Sequence, residues 1–285
     1  MSTFVEPLPS RLAVLVEDLR KLPAFLRRDF LVALSYRTAF ISDALGLFFG
    51  AFIFYFVGLM VDPTKIPTYG DTRATYMEFV AIGLALGVFL QIGLGRVAAV
   101  MNREQLMGTL ESLVVTPTAT ATIQIGSVVY DLIYIPIRTA LFLLAIDVGF
   151  GLHFQADGIL PAAVMLLFFI PFVWGLGLAA AGAMLTFRRG AGAFGLGIGF
   201  LTLGSGAYFP LELLPGWVQD VSVVNPITVA IEGMRETLIG GVGWSGVATD
   251  LLVLAPLSLF SLVAGVFIFR LAQWRERRQG TLGLY

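Results

Sequence analysis

The sequence has no cysteine and only one histidine, His153. Without cysteine there is no disulfide, no thiolate metal site and no cysteine nucleophile. One histidine leaves too few groups for most metal sites, and carboxylates are not clustered within the apolar segments, so the groups for acid–base catalysis are missing. An intramembrane transferase is therefore disfavoured, no metal site is expected, and His153 is interpreted as a solvated loop residue.

Charge is also scarce. Charged residues make up 13% of the 285 residues, whereas 58% are hydrophobic and the mean hydropathy is +0.88. A soluble globular domain has about 25% charged residues. The net charge of -1 gives no indication of nucleic-acid binding. The composition predicts an integral membrane protein built from helices.

A phosphate-binding loop is missing too. The only lysines are Lys21 and Lys65, and neither ends a sequence of the form G-x-x-x-x-G-K-[ST]. Any ATP chemistry would therefore come from another polypeptide. The N-terminal residues lack the basic-then-apolar order of a signal peptide, so no cleaved leader is expected.

Six apolar segments can each cross about 30 Å of hydrocarbon as a helix. In the 37 residues before them, leucines recur at helical spacing with basic residues beside the stripe, which predicts an amphipathic helix at the membrane interface. This helix would be anchored by anionic lipid headgroups, dock onto a partner, or do both. The six predicted segments are residues 38–61, 79–95, 119–146, 159–187, 190–211 and 251–269.

The basic residues are distributed unequally between the two faces of this arrangement. Lys65, Arg73 and Arg235 fall on one face, and the other basic residues outside the apolar segments fall on the face that holds both termini. By the positive-inside rule, both termini are expected in the cytoplasm and the protein is expected in the plasma (inner) membrane. The residues 1–37 segment would then be cytoplasmic.

A polar stretch, residues 102–116, separates the second and third apolar segments. Leu106 and Leu110 share one face of a helix, and Glu104 and Glu111 share another, which predicts a short amphipathic helix. Such a helix between two spans either lies on the membrane surface or docks onto a soluble partner. The pattern alone leaves both possibilities open.

Two charges fall within the third segment, Asp131 and Arg138. They are seven residues apart and therefore lie on nearly the same face of a helix. Each central charge costs roughly 2.5–3.5 kcal/mol on insertion scales, so partners on another helix or at a subunit interface are expected. The alternative is a packing pair without a role in transport.

The last loop, residues 211–250, is too short to span the membrane twice and too apolar to be solvated, which predicts a re-entrant helical hairpin on the outer side. Residues 214–217 are expected to form its turn, with Trp217 at the membrane interface. Glu232, Arg235 and Glu236 are expected away from the apolar face of its second helix. That apolar face comprises Ile227, Ala230, Ile231, Met234 and Leu238.

The chain resembles the ABC-2 family of permeases, the transmembrane subunits of ATP-binding-cassette exporters. The resemblance covers essentially the whole chain in order. One part of it follows the second apolar segment and the other precedes the last. The matching residues are Glu104, Gly108-Thr109-Leu110-Glu111 and Thr116-Pro117, then Phe209-Pro210, Leu213-Leu214-Pro215-Gly216-Trp217, Asn225-Pro226 and Gly233-Met234-Arg235.

The resemblance implies that residues 38–285 form an ABC-2 type transmembrane domain. It implies a pair of permease subunits, with a homodimer expected, and two copies of a separate ATPase subunit that binds ATP and Mg²⁺. The coupling helix would dock on the ATPase through Glu104, Gly108, Thr109, Leu110 and Glu111. The translocation path would involve Phe89, Gln91, Phe200 and Tyr208, and the outer gate Phe209, Pro210, Leu214, Trp217, Asn225 and Pro226.

The function implied by the resemblance is ATP-driven export of an amphipathic substrate, such as a drug-like compound, a lipid or a lipid-linked glycan. Export of a polysaccharide is the alternative within the family. An autonomous secondary carrier or channel is a different class, which favours several ionisable groups within the membrane and inverted repeats. Only Asp131 and Arg138 are of that kind, and no repeat is evident.

Overall fold

A computed structural model of the chain describes residues 22–35, 37–106, 120–186 and 190–279. The described part is predominantly helical, as expected for an all-α membrane protein. Its helices, in chain order, are α1 (Leu22–Ser35), α2 (Arg37–Gly58), α3 (Tyr76–Leu106), α4 (Thr120–Phe150), α5 (Ile159–Thr186), α6 (Gly190–Leu203), α7 (Gly216–Ser222), α8 (Pro226–Leu238) and α9 (Trp244–Gln279).

A small β-hairpin lies between α2 and α3. It is the only β-sheet in the described ranges. Strand β1 (Thr68–Tyr69) pairs antiparallel with β2 (Thr72–Arg73). Gly70 in its turn has a φ of 56°, a conformation that favours glycine. Short 3-10 turns lie at Pro63–Lys65, Ala156–Gly158 and Leu211–Leu213.

Within the described part of the chain, four stretches are long and apolar enough to cross a membrane. They correspond to the predicted second, third, fourth and sixth segments and lie on α3, α4, α5 and α9. The predicted first and fifth segments correspond to α2 and α6, which have 22 and 14 residues. The four stretches are Tyr76–Leu94, Ile133–Phe150, Ala156–Met184 and Trp244–Arg275.

The fifth segment is shorter than the sequence suggested, because α6 ends at Leu203 and not near residue 211. The Ser205 hydroxyl donates a hydrogen bond to the Thr202 carbonyl oxygen at 2.7 Å, and Gly206 has a φ of 74°. A left-handed residue cannot continue a right-handed helix. The run of apolar residues therefore continues past the point where the backbone turns.

Successive long helices alternate in direction. Helices α2, α4 and α6 end near α8, at one end of the bundle. Helices α3, α5 and α9 begin at the same end. At this end the rings of Phe54 and Tyr208 stack with centroids 5.8 Å apart, and the Gln155 amide donates to the Leu238 carbonyl oxygen at 2.7 Å. We call it the hairpin end, since α7 and α8 lie there.

Helices α5 and α9 run in the same direction and cross with their backbones in contact. A Cβ atom added at Gly175 would overlap the backbone of Ser261, and one added at Gly265 would overlap the carbonyl oxygen of Gly175. Seven residues further along, a Cβ atom at Gly182 would lie 3.1 Å from the Cα atom of Phe269. Small residues permit this close approach of two membrane helices.

The buried core is centred on α3, with α5 and α8 packed against it. Side chains on several sides of the first half of α3 are fully enclosed, so this helix lies inside the bundle, not at its surface. The largest apolar side chains with at most 1% exposure include Phe79, Ile82, Leu86, Leu90, Met165, Phe169, Ile227 and Ile231.

The start of α3 is fixed by a reciprocal pair of caps. The Glu78 amide donates to the Thr75 hydroxyl at 3.2 Å, and the Thr75 amide donates to Glu78 Oε2 at 2.8 Å, which is a capping box. The other carboxylate oxygen of Glu78 accepts from the backbone amide of His153 at 3.3 Å. The His153 side chain is exposed, as interpreted from the sequence.

Parts of two predicted amphipathic helices are described. The chain from Leu22 to Ser35 forms α1, which begins with Pro23 in its first turn and exposes Arg27 and Arg28. The leucine stripe in residues 1–21 lies outside the described residues. Of the stretch 102–116, the part up to Leu106 continues α3, and the rest lies outside the described residues.

Candidate functional site

A groove with a volume of about 510 Å³ runs between α3, α5 and α6 and extends to the turn that follows α6. None of the described residues that line it is charged, and most are aliphatic. A surface of this kind accepts an apolar body, with a few polar groups available to orient it. The lining residues are Leu84, Gly87, Val88, Leu90, Gln91, Leu94, Ala180, Met184, Gly195, Ile198, Gly199, Thr202, Leu203 and Tyr208.

Two of the residues predicted for a translocation path contribute the main polar groups of this groove. Gln91 is exposed on α3, and Tyr208 enters from the turn after α6. A Cβ atom added at Gly87 would lie 3.7 Å from the Tyr208 hydroxyl, and Gly87 and Gln91 share a helix face four residues apart. The phenol and the amide therefore lie along one row of the groove.

The other two predicted path residues do not line the groove. Phe89 is 3% exposed and packs in the core with its ring 5.9 Å from that of Phe169. It is two residues from Gln91 and therefore lies roughly 200° further around α3, on the opposite face. Phe200 is 75% exposed on α6, one residue after the groove-lining Gly199.

The glycines of α6 differ in packing from those of α5 and α9. Gly195, Gly197 and Gly199 are exposed, and a Cβ atom added at any of them would meet no atom of the described chain within 4 Å. Large apolar side chains beside them, Leu196 and Phe200, are 68% and 75% exposed. This face of α6 is thus apolar, lined with small residues and uncovered by the described part of the chain.

The predicted turn of the hairpin is instead the start of a helix. Pro215 precedes α7, and Gly216 and Trp217 form its first turn, so the prediction of a turn at residues 214–217 is wrong. Proline is well suited to a helix start because it sets φ and has no amide hydrogen to leave unpaired. Trp217 is 72% exposed, and Leu213, Val221, Val223 and Val224 nearby are also exposed.

Asn225 fixes the start of α8 and ties it to α6. Its side-chain oxygen accepts from the Ile227 amide at 3.1 Å, and its side-chain nitrogen donates to the Leu201 carbonyl oxygen at 2.9 Å. Pro226 follows as the first helical residue. Both hydrogen-bonding groups of one buried amide are therefore used, one within the hairpin and one between elements.

Replacing Asn225 with alanine is expected to lower the free energy of unfolding by about 1–2 kcal/mol, since a helix cap and a buried hydrogen bond are both lost. Thermal unfolding of the purified protein in detergent would measure the loss. Asn225→Asp is the matched control, because it keeps the capping oxygen but loses the donor to Leu201. An alanine variant as stable as the wild type would contradict this role.

The most deeply buried charge that the structure describes is Arg235, which the sequence pattern had assigned to an outward face of α8. Its exposure is 0%, so that assignment is wrong. The reason is that α8 is enclosed on more than its apolar stripe: Thr228, Gly233 and Thr237 are buried as well. A buried guanidinium costs several kcal/mol unless its hydrogen bonds are satisfied.

Each of the three nitrogens of the Arg235 guanidinium donates to at least one acceptor. Nη1 donates to Glu232 Oε1 at 2.7 Å, and Nε and Nη2 donate to the Phe79 carbonyl oxygen at 3.1 and 2.9 Å. Nη2 also lies 3.0 Å from the carbonyl oxygen of Gly206 and 3.2 Å from that of Ala207. The guanidinium carbon lies 3.5 Å from the centre of the Phe79 ring, a cation–π contact.

Glu232 extends this network to the β-hairpin. Its Oε2 accepts from the Tyr69 hydroxyl at 2.9 Å. Burial raises the pKa of the Tyr69 phenol, so this group stays protonated and remains a donor. On the same helix, burial raises the pKa of the Glu236 carboxyl, and the nearby carboxylates of Asp250 and Glu232 raise it further.

Sequence reasoning missed Arg235 as a site residue. The available signal was its position in an apolar helical run, three residues after Glu232, where the two side chains can pair. The predicted gate residues differ in burial. Pro210 and Asn225 are buried, Phe209, Leu214 and Pro226 are half-buried, and Trp217 is exposed.

The remaining predicted residues are only partly described. Glu104 is near the end of α3, with its side chain outside the described part, and Gly108, Thr109, Leu110 and Glu111 lie outside the described residues. Asp131 lies on α4, but its side chain is also outside the described part. Arg138, two helical turns further on, is half-buried.

Long apolar helices that alternate in direction around an uncharged groove define this chain as a polytopic membrane protein. Residues 20–239 match the family model of the ABC-2 type transporter. The chain belongs to the ABC-2 family and is a multi-pass membrane component of ABC transporters. In this family the membrane domain is a transport component and not itself catalytic.

Among characterised proteins, the chain is similar to ABC transporter G family member 20 of Dictyostelium discoideum. The two are 26% identical over 212 residues, which is 72% of this chain and 28% of that protein. The chain therefore spans less than a third of the length of this relative.

Proposed function

We propose that this chain is the permease subunit of an ABC exporter, and that it moves an amphipathic substrate outward across the plasma membrane. Candidate substrates are drug-like compounds, lipids and lipid-linked glycans. Energy would come from ATP that a separate subunit binds with Mg²⁺ and hydrolyses. The observation that carries this proposal is the apolar groove of about 510 Å³ between α3, α5 and α6, in a chain that belongs to the ABC-2 family.

The character of the groove supports an amphipathic substrate. Its described lining contains no charge, so an ion or a highly charged polymer would lose hydration without gaining a counter-charge. Gln91 and Tyr208 offer an amide and a phenol to the polar part of the substrate, and the aliphatic lining offers a surface to its apolar part. A secondary carrier, by contrast, would be expected to place ionisable groups along its path.

The uncovered face of α6 supports the pairing of two permease subunits. Gly195 and Gly199 line the groove and leave open space beside the helix. Small residues in membrane helices favour close helix–helix contact, so a second copy of this chain would fit against the α6 face. Two copies would then enclose the groove between them, and two ATPase subunits would complete the exporter.

The alternating helix directions support a six-pass arrangement with both termini in the cytoplasm. Helix α2 begins and helix α9 ends on the side of the bundle opposite the hairpin end. Arg270, Arg275 and Arg278 at the end of α9 are exposed, and so are Arg27 and Arg28 on α1, in keeping with a cytoplasmic location of that side. The hairpin end would then face outward, with Phe209, Leu214 and Trp217 in the outer gate.

Coupling to the ATPase is assigned to the polar stretch after α3. Glu104, Gly108, Thr109, Leu110 and Glu111 would dock on the ATPase and follow its closure when ATP binds. Transport then requires that these contacts differ between two states of the permease, because a contact that is equal in both states shifts no equilibrium.

The proposal is tested by purifying the chain with its ATPase subunits and reconstituting the complex into inside-out vesicles. ATP-dependent accumulation of a fluorescent amphipathic probe is the expected result. Uptake that persists without ATP and depends on an ion gradient would identify a secondary carrier instead. Transport of a polysaccharide but of no amphipathic probe would favour the other branch of the family.

Replacing Glu111 with lysine is expected to reduce ATP-driven transport by about tenfold or more, because a reversed charge at a docking contact opposes association. Membrane insertion should be unchanged. Vesicle transport and co-purification of the ATPase provide the measurements. Glu212→Lys is the matched control, since Glu212 is exposed at the hairpin end. Wild-type transport by the Glu111 variant would argue against docking through this helix.

A further inference from the structure

Six residues follow α6, residues 204–209, and we call this segment the α6 turn. This segment leads from the groove to α7 and contains Tyr208, which lines the groove. Its Ser205, Gly206 and Ala207 are buried. The inference rests on the proposed function, because it concerns how the outer end of the proposed path is built.

The α6 turn is held by a side chain that belongs to neither α6 nor α7, the two helices next to it in sequence. Arg235 on α8 donates through Nη2 to the carbonyl oxygens of Gly206 and Ala207 at 3.0 and 3.2 Å, and to that of Phe79 on α3 at 2.9 Å. Carbonyl groups just past the end of a helix have no donor within that helix. The guanidinium therefore donates hydrogen bonds to carbonyl groups of both the α6 turn and α3.

Helix α8 is a firm support for this contact. A Cβ atom added at Gly158 would overlap the backbone of Thr237, and one at Gly240 would lie 2.9 Å from the backbone of Tyr69. A Cβ atom added at Gly233 would meet the side-chain ends of Met165 on α5 and Asp250 on α9. By contrast, α7 has seven residues and exposes Trp217. Within the hairpin, α8 is therefore the fixed part.

The α6 turn also lies directly on α3. A Cβ atom added at Gly83 would overlap the carbonyl oxygen of Ala207, so glycine is required for this approach. The next residue, Tyr208, accepts a hydrogen bond at its carbonyl oxygen from the Tyr76 hydroxyl at 3.2 Å. Its ring stacks on Phe54 at an interplanar angle of 13°. The position of the Tyr208 ring thus depends on where the turn sits against α3.

We propose that Arg235 is a positioning residue for the outer end of the path: it fixes the α6 turn against α3 and thereby holds Tyr208 across the groove. Arg235 does not line the groove and would not touch the substrate. Its role is to link the α6 turn, which bears the groove residue Tyr208, to the closely packed helix α8. Loss of its carbonyl contacts would loosen the middle of the α6 turn, around Gly206 and Ala207, while the rest of the bundle stays packed.

The absence of cysteine from the chain allows a direct test. The reporter is a single cysteine, Ser205→Cys. Cysteine is nearly isosteric with serine, and Ser205 is 0% exposed. Its reaction with a water-soluble maleimide is measured on the purified full chain in detergent. We expect the reporter to react about tenfold faster or more when Arg235→Met is added, because two hydrogen bonds from the charged guanidinium hold the turn in place. Arg235→Lys should give an intermediate rate.

Three controls separate a local effect from unfolding. Arg73→Met makes the same chemical change at an exposed arginine of the same end and should leave the reporter rate unchanged. A reporter at Ser258→Cys, 1% exposed on α9, should stay unreactive in the Arg235→Met chain. Gly83→Ala moves the turn off α3 without removing the charge and should also speed labelling at position 205.

The outcomes decide the proposal. Faster labelling at position 205 in both Arg235→Met and Gly83→Ala, with Ser258→Cys unreactive, supports it. Unchanged labelling at position 205, or equal acceleration at position 258, overturns it. If Arg235→Met does not insert, Arg235→Lys decides by the same criteria, since lysine keeps the charge but cannot donate to all of these carbonyl groups at once. The assay uses neither ATP nor substrate, so a failure of ATP-driven transport would refute the proposed function and leave this result standing.

Discussion

Replacing Gly265 with leucine is expected to prevent the chain from reaching its folded state. Even the Cβ atom would overlap the carbonyl oxygen of Gly175 across the α5–α9 contact. Overpacking a core costs about 1–3 kcal/mol when neighbouring side chains can shift, and occasionally more. Here the obstacle is backbone, so the two helices must separate along their contact, and a cost at the upper end of that range or above it is expected.

Size-exclusion chromatography and thermal unfolding in detergent would measure this loss. Gly46→Leu is the matched control, because Gly46 is on α2 and a Cβ atom there would meet no described atom within 4 Å. It should give a folded protein with a near-wild-type unfolding temperature. Equal stability of the Gly265 and Gly46 variants would mean that α5 and α9 do not pack as closely as described.

Replacing Gly199 with phenylalanine is expected to abolish transport without unfolding the chain. Gly199 lines the groove, and a Cβ atom there would meet no described atom within 4 Å, so the chain itself has room for the ring. The ring would fill the groove or block the approach of a second copy at the α6 face. Either effect removes the proposed path, since a substrate of drug-like size needs roughly 300 Å³ or more of space.

ATP-dependent vesicle transport and the unfolding temperature should be measured on the same preparation. Gly46→Phe introduces the same side chain in open space away from the groove and should transport normally. Normal transport by a folded Gly199→Phe chain would exclude this groove as the path. Loss of both folding and transport would show instead that α6 is packed against other parts of the chain.

Several elements could be read from the sequence because they depend on local composition. The apolar runs from residues 79–95, 119–146, 159–187 and 251–269 all correspond to long helices, since a run of that length is stable in hydrocarbon only as a helix. The helical spacing after Pro226 was read correctly too. The motifs around residues 104–117 and 209–235 indicated the family that residues 20–239 match.

The direction in which a side chain faces could not be read from the sequence. Phe89 and Gln91 are close in sequence and equally plausible in a path, but only their direction around α3 places one in the core and the other in the groove. Arg235 was expected away from the apolar face of α8 because the apolar residues recur at helical spacing without it. Its burial depends on carbonyl groups of Phe79, Gly206 and Ala207, which are distant in sequence.

The sequence by itself determined that this protein is a helical membrane protein and where most of its long helices lie, because hydrophobic length is a local property. Only the tertiary structure decided which glycines pack against the backbone of another helix, as at Gly175 and Gly265, and which face open space, as at Gly195 and Gly199. The same holds for the buried charge that joins α8, α3 and the α6 turn. Burial is set by the element lying opposite, and composition along one helix does not specify that neighbour.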